Sequence, residues 1–159
     1  MSDTTERALL FISRCSDPKQ LRQVSLNAWR KGDEQVRRAA QLRLYEILPA
    51  DKPGTLEYDV WQSIHALEGE LSDERGKTTR LARTRQKIAR DGELGTVADL
   101  VLGKMSEGFR MLIERDMPQL TFEAVALKHA SRFTADVVSA AKQRLLEAGF
   151  NPEIYFAVS

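Results

Sequence analysis

Seven cations stand between Arg75 and Arg90 with no carboxylate among them: Arg75, Lys77, Arg80, Arg83, Arg85, Lys87 and Arg90. Such a run is chemistry for an anion, because guanidinium and ammonium groups donate to phosphate or carboxylate oxygens. The whole chain has 24 Lys and Arg against 23 Asp and Glu, so setting these seven aside leaves 17 cations against 23 anions. A nearly neutral protein therefore holds one concentrated positive segment in a mildly acidic background. Attraction to a polyanion, if present, is local.

At 100° per residue, Lys77, Arg80, Arg83, Lys87 and Arg90 fall within an arc of roughly 140°. A helix through them would offer a five-cation ridge, with Leu81 and Ile88 on a neighbouring face turned to the body. Arg85 projects amid the apolar positions. It requires a carboxylate partner inside the fold or marks a break in the helix, since an unpaired buried guanidinium costs roughly several kcal/mol.

Three readings compete for this segment. It could be a solvated charged face, but such faces usually mix signs, which gains small ion-pair terms and avoids repulsion. It could be a phosphate-binding ridge, which Thr78, Thr79, Thr84 and Gln86 between the cations would suit. Or it could dock on an acidic protein surface. The expectation is a non-catalytic nucleic-acid-binding protein that contacts phosphates, without base specificity, through Lys77, Arg80, Arg83, Lys87 and Arg90. The alternative is a helical adaptor or inhibitor docking on an acidic surface of a partner protein.

The remaining chemistry-bearing residues are sparse. His65 stands three residues before Glu68. A His-x-x-Glu pair supplies two ligands where a stable metal site needs three or four, so a His bonded to Glu68 or to backbone is expected. His129 closes a helix, where the dipole favours a cation. Cys15 is alone, which excludes an intrachain disulfide and a Cys-rich metal site. Asp116, Glu123 and Lys128 have neither the spacing nor the strand of an acidic-plus-lysine nuclease. There is no P-loop, no Gly-rich dinucleotide turn and no Gly-x-Ser-x-Gly. No enzyme, metal or cofactor is expected.

The elements that would carry these residues are helical, and punctuation marks them. Ser2 or Asp3 opens a short helix with Leu9, Leu10 and Ile12. Asp17-Pro18 opens a second, with Leu21, Val24, Leu26 and Ala28, closed at Lys31-Gly32. Asp33 starts a third, stopped by Pro49. Thr55 caps a long helix with the stripe Leu56, Val60, Ile64, Leu67 and Leu71. Asp91-Gly92 closes the basic segment. Thr96 followed by Asp99 has the spacing of a capping arrangement opening Val97 to Leu102. Ser106, Thr121 and Thr134 cap the helices that follow. Helix, turn and helix over Thr96 to Arg115 invite comparison with a DNA-reading helix-turn-helix. Ser106, Glu107 and Gly108 offer little base-reading chemistry, so packing is the expected role.

Self-comparison shows one repeat, at an offset of 101 residues. Val36, Ala39, Ala40, Arg43, Leu44 and Glu46 align with Val137, Ala140, Ala141, Arg144, Leu145 and Glu147. Leu21, Val24 and Leu26 sit over Phe122, Val125 and Leu127. Each block reads as a helical hairpin. The run Asp33 to Ala40 resembles the second helix of HEAT-type repeats, and that resemblance implies hairpins packed side by side. Two hairpins cannot form a solenoid, which needs three or more units.

The expected fold is therefore all-α, a compact multi-helix bundle of two HEAT-like hairpins around the long helix and the basic helix. One domain over residues 1–159 is expected, with an N-terminal hairpin region (1–49), a central region (55–91), C-terminal helices (96–149) and a tail (150–159). That tail is expected to dock as an extended segment through Ile154, Tyr155 and Phe156. The polar, acidic start lacks a secretory signal and the apolar runs are far short of the ~20 residues of a membrane helix. A reducing, cytoplasmic setting without membrane contact is expected.

Overall fold

A computed structural model describes residues 2–155. The described chain is all-helical, and its residues gather into two compact units that divide after Ala50.

The first unit has three helices: α1 (Asp3–Arg14), α2 (Pro18–Lys31) and α3 (Glu34–Ile47). Their ends follow local signals. Ser2 Oγ accepts the Thr5 amide at 3.1 Å, and Asp17 accepts the Lys19 amide at 3.0 Å. Gly32 closes α2 in the left-handed conformation at φ 74°, where other residues are strained. Asp33 then takes the Val36 amide at 3.1 Å on one oxygen and the Thr5 hydroxyl at 3.0 Å on the other. The core joins Ile12, Cys15, Leu21, Ala28, Val36 and Ala40. Because Asp33 both caps α3 and ties it to α1, Asp33→Ala is expected to cost about 1–2 kcal/mol. Urea unfolding followed by circular dichroism would measure it.

The second unit contains α4 (Leu56–Arg75), α5 (Ala82–Leu102), α6 (Glu107–Glu114), α7 (Phe122–Lys128), α8 (Ala135–Glu147) and the single turn α9 (Pro152–Tyr155). Leu56, Val60 and Ile64 of the long helix meet Ile88, Val97, Val101, Val125, Val137 and Ala141 in one core. The apolar stripe of α4 is thus used within the protein. α4 also buries Asp59, Glu68 and Glu70, and each carboxylate meets a cation from another element. Asp59 takes Lys128, Glu68 takes Arg85 and Glu70 takes Arg115 at 3.2, 2.7 and 3.0 Å. Much of the acidic background is therefore spent on holding helices together.

The two hairpins of the repeat keep the same inward positions. Val36 and Ala40 are buried in one, Val137 and Ala141 in the other. The matched arginines also do the same work. Arg43 Nε donates to the carbonyl of Cys15, the residue that ends α1, at 3.0 Å. Arg144 donates to the carbonyl of Gly103, the residue that ends α5. Each arginine donates to the carbonyl that closes an earlier helix, α1 for Arg43 and α5 for Arg144, although α6 stands between α5 and the second hairpin.

Several expectations need correction. Leu10 and Leu26, read as apolar content, are 53% and 40% exposed. Thr96 does not cap a helix; it lies inside α5, fully buried, with its hydroxyl unpartnered among the described residues. Gly92, at φ 81° and ψ 169°, breaks the helix four residues earlier. Thr134 makes no cap bond either. Its hydroxyl donates to Asp136, whose carboxylate accepts the Val137 amide instead. The tail backbone makes the helical turn α9 where an extended segment was expected, and Phe156 lies outside the described residues. Among the described residues no helix is long and apolar enough to cross a membrane.

Candidate nucleic-acid interface

The basic segment is a helix end, a connection and a helix start. α4 finishes at Arg75, and Gly76 at φ 69° turns the chain out of the helix. Residues 77–81 are irregular, so Lys77 and Arg80 do not ride on a helix as the arc required. α5 begins only at Ala82 and carries Arg83, Arg85, Lys87 and Arg90.

Polar side chains of α4 hold the connection in place. Ser72 Oγ accepts the Thr79 amide at 2.8 Å and donates to the Thr79 carbonyl at 3.4 Å. The Thr79 hydroxyl donates to the Lys77 carbonyl at 3.1 Å. Glu68 is the main clamp. Its Oε2 accepts the Leu81 amide at 2.8 Å and Arg85 Nε at 2.7 Å, while Oε1 accepts Arg85 Nη2 at 2.7 Å. The guanidinium of Arg85 also lies 5.2 Å from the centre of the Trp61 ring, within cation–π range. Burial pushes the Glu68 carboxyl up, but the hydrogen bonds from Arg85 and Leu81 outweigh it and leave the group below its ordinary value. The same pairing raises Arg85. Arg85 is thus the paired structural arginine that its position demanded.

The five expected contact residues divide. Lys77, Arg80 and Arg83 are exposed, with no carboxylate at ion-pair distance among the described residues. Arg75, at the end of α4, joins them on the same terms. Lys87 is half-buried and bonds Asp99 at 2.8 Å and Asp91 at 2.9 Å, which together raise it above the ordinary lysine value. Arg90 is exposed, but its Nε is 3.2 Å from Asp91. Lys87 and Arg90 together hold the Asp91 carboxyl below its usual range. The five-cation ridge is therefore not present as a unit. Four free cations, Arg75, Lys77, Arg80 and Arg83, cluster within nine residues of sequence.

The backbone adds to their charge. Leu81, at the head of α5, offers no side-chain cap. The amides of Ala82, Arg83 and Thr84 take no hydrogen bond within the described chain. They are the orphan donors at the positive end of the helical stretch that runs from Ala82 to the break at Gly92.

The other singled-out residues serve packing. His65, expected to bond Glu68 or backbone, lies with its ring tilted 6.3 Å from that of Trp61. His129 ends α7 as expected, and its Nε2 lies 2.6 Å from buried Asp59, seventy residues earlier. α6 lies flush on α4: a Cβ at Gly108 would come within 3.0 Å of Leu67, and Phe109 and Leu112 are buried. Burial raises Glu123 against the opposing pull of Arg144, whose Nη1 is 2.7 Å away. Among the described residues no group of three His, Cys, Asp or Glu could hold a metal ion.

No family model, no curated protein and no solved structure matches this chain. The likeness to HEAT-type repeats remains one of residue pattern.

Proposed function

We propose that this protein binds nucleic acid without catalysis or base specificity, through phosphate contacts from Arg75, Lys77, Arg80 and Arg83. One observation carries the reading. These four cations stay exposed and unpaired in a unit where neighbouring cations are matched to carboxylates. The second unit has 15 cations and 17 anions, so outside the seven-cation stretch it carries eight against 17. Four free cations in a row within so negative a unit give a polyanion a concentrated place to approach. Guanidinium groups suit phosphate geometrically, and the free amides heading α5 add donors in the stretch that carries Arg83.

The test is salt dependence. Four phosphate contacts predict a slope of log K on log salt of about −3.6 for duplex DNA and about −2.8 for a single strand. Between about 50 and 200 mM salt this is a loss of roughly 150-fold or 50-fold. Anisotropy titration of labelled duplex and single-stranded oligonucleotides against the full chain would read both. No association at low salt, or a flat slope, refutes the proposal.

A further inference from the structure

The first unit presents a second surface of different character. α1 turns Arg7, Leu10, Phe11 and Arg14 to solvent, the i, i+3, i+4, i+7 spacing of one helical face. Leu10 is 53% and Phe11 46% exposed, although Ile12 of the same helix is buried in the core. Of the eight large apolar side chains exposed on the described chain, four (Leu10, Phe11, Leu26 and Trp29) fall in this unit. Neither Arg7 nor Arg14 has a carboxylate at ion-pair distance among the described residues. Beside Phe11 opens a depression of about 700 Å³, lined by Arg7, Leu10, Phe11, Arg14, Asp17 and Gln20. Asp17 accepts the Lys19 amide on one oxygen, and the lining holds two cations against this one carboxylate.

Charge and shape select the occupant. The two arginines stand two turns apart, about 10.5 Å along the helix, with the apolar pair between them. A second copy of the same face would oppose arginine to arginine. A phosphate backbone would answer the arginines and leave Leu10 uncovered. A helix with two carboxylates seven residues apart and apolar side chains between them satisfies all three features, in the helix-against-groove mode of recognition. We infer that the Arg7–Leu10–Phe11–Arg14 face docks an acidic amphipathic helix of a partner protein. One apolar side chain sits beside Phe11 and the carboxylates pair with Arg7 and Arg14. The surface shares no residue with the basic segment, so it stands independently of nucleic-acid binding.

The probe is a labelled synthetic helical peptide with glutamates at i and i+7 and leucines at i+3 and i+4, and a twin with lysines in place of the glutamates. The full chain is expected to bind the glutamate peptide and not its twin. Phe11→Ser should weaken binding about tenfold or more, a change of ~1.4 kcal/mol. Its circular dichroism and melting temperature should hold, because Phe11 lies outside the core. The double variant Arg7→Glu/Arg14→Glu should lose the glutamate peptide and gain the lysine twin, a swap that misfolding cannot produce. Equal binding of the two peptides, or of neither, overturns the proposal. So does a concentration-dependent dimer abolished by Phe11→Ser, which assigns the face to a second copy. Adhesion to anionic vesicles through Phe11, or oligonucleotide binding that needs Arg7 and Arg14 but survives loss of Arg80 and Arg83, overturns it as well.

Discussion

The variant in which Arg75, Lys77, Arg80 and Arg83 all become glutamine is expected to lose nucleic-acid binding at least ~100-fold at about 50 mM salt. Between about 1 M and 50 mM salt, four counterion-releasing contacts strengthen duplex association by roughly 10⁴ to 10⁵, so even partial participation leaves a large loss. Folding should survive. All four side chains are exposed and bond nothing within the described chain, and surface substitutions of that kind usually stay within about 0.5 kcal/mol. The informative control is Lys87→Gln/Arg90→Gln. Asp99 and Asp91 already answer those two charges, so their loss should change the salt slope by less than about one. If the control costs as much binding as the quadruple variant, the contact surface is the whole face of α5 and not its approach. If the quadruple variant binds like the unaltered chain, the connection is not the contact surface at all.

That distinction between four residues and five marks where sequence stops informing. Helix existence is local chemistry: Asp17-Pro18, Asp33, Thr55, Ser106 and Thr121 each cap the helix they were expected to cap. The hairpin repeat was equally plain, because buried positions recur with helical period, and Val36 with Ala40 and Val137 with Ala141 are buried alike. What failed depends on contacts distant in sequence. The arc of cations assumed one helix from Lys77 to Arg90. The polar stretch Ser72 to Gly76 reads equally as a bend or as helix running on, Gly76 takes the left-handed turn, and the clamp that holds the connection comes from Glu68, 17 residues before Arg85. Lys87 looked free until the break at Gly92 was followed by a second helical stretch bearing Asp99. Thr96 shows the converse error: a Thr-x-x-Asp spacing arises inside a helix as readily as at its start. Arg85 could be read correctly because desolvation alone demands a partner, whoever supplies it.

Glu68 carries the other large expected effect. In Glu68→Ala the Leu81 amide and two donors of Arg85 lose their acceptor together, while Arg85 keeps about a quarter of its side chain in solvent. Removing one partner of a buried pair costs about 3–5 kcal/mol. Partial solvation of Arg85 places the expected loss nearer ~2–4 kcal/mol, read from urea or thermal unfolding. Glu68→Gln keeps the shape and can still accept the Leu81 amide, so it should cost less. A double variant, Glu68→Met with Arg85→Met, should recover much of the loss, because a packed apolar pair dispenses with both desolvation penalties. Acid provides an independent reading. The folded-state pKa of Glu68 lies below its unfolded value, so its contribution is present above the unfolded value and disappears as pH falls through the folded one. Glu123 runs the other way: its raised folded value favours the fold below the unfolded value, an advantage lost as pH rises through the folded one. Glu68→Gln should therefore flatten the acid limb of the stability profile and leave the Glu123 limb in place. An acid limb unchanged in Glu68→Gln would mean that the clamp contributes little, and that something other than Glu68 fixes the connection carrying Lys77 and Arg80.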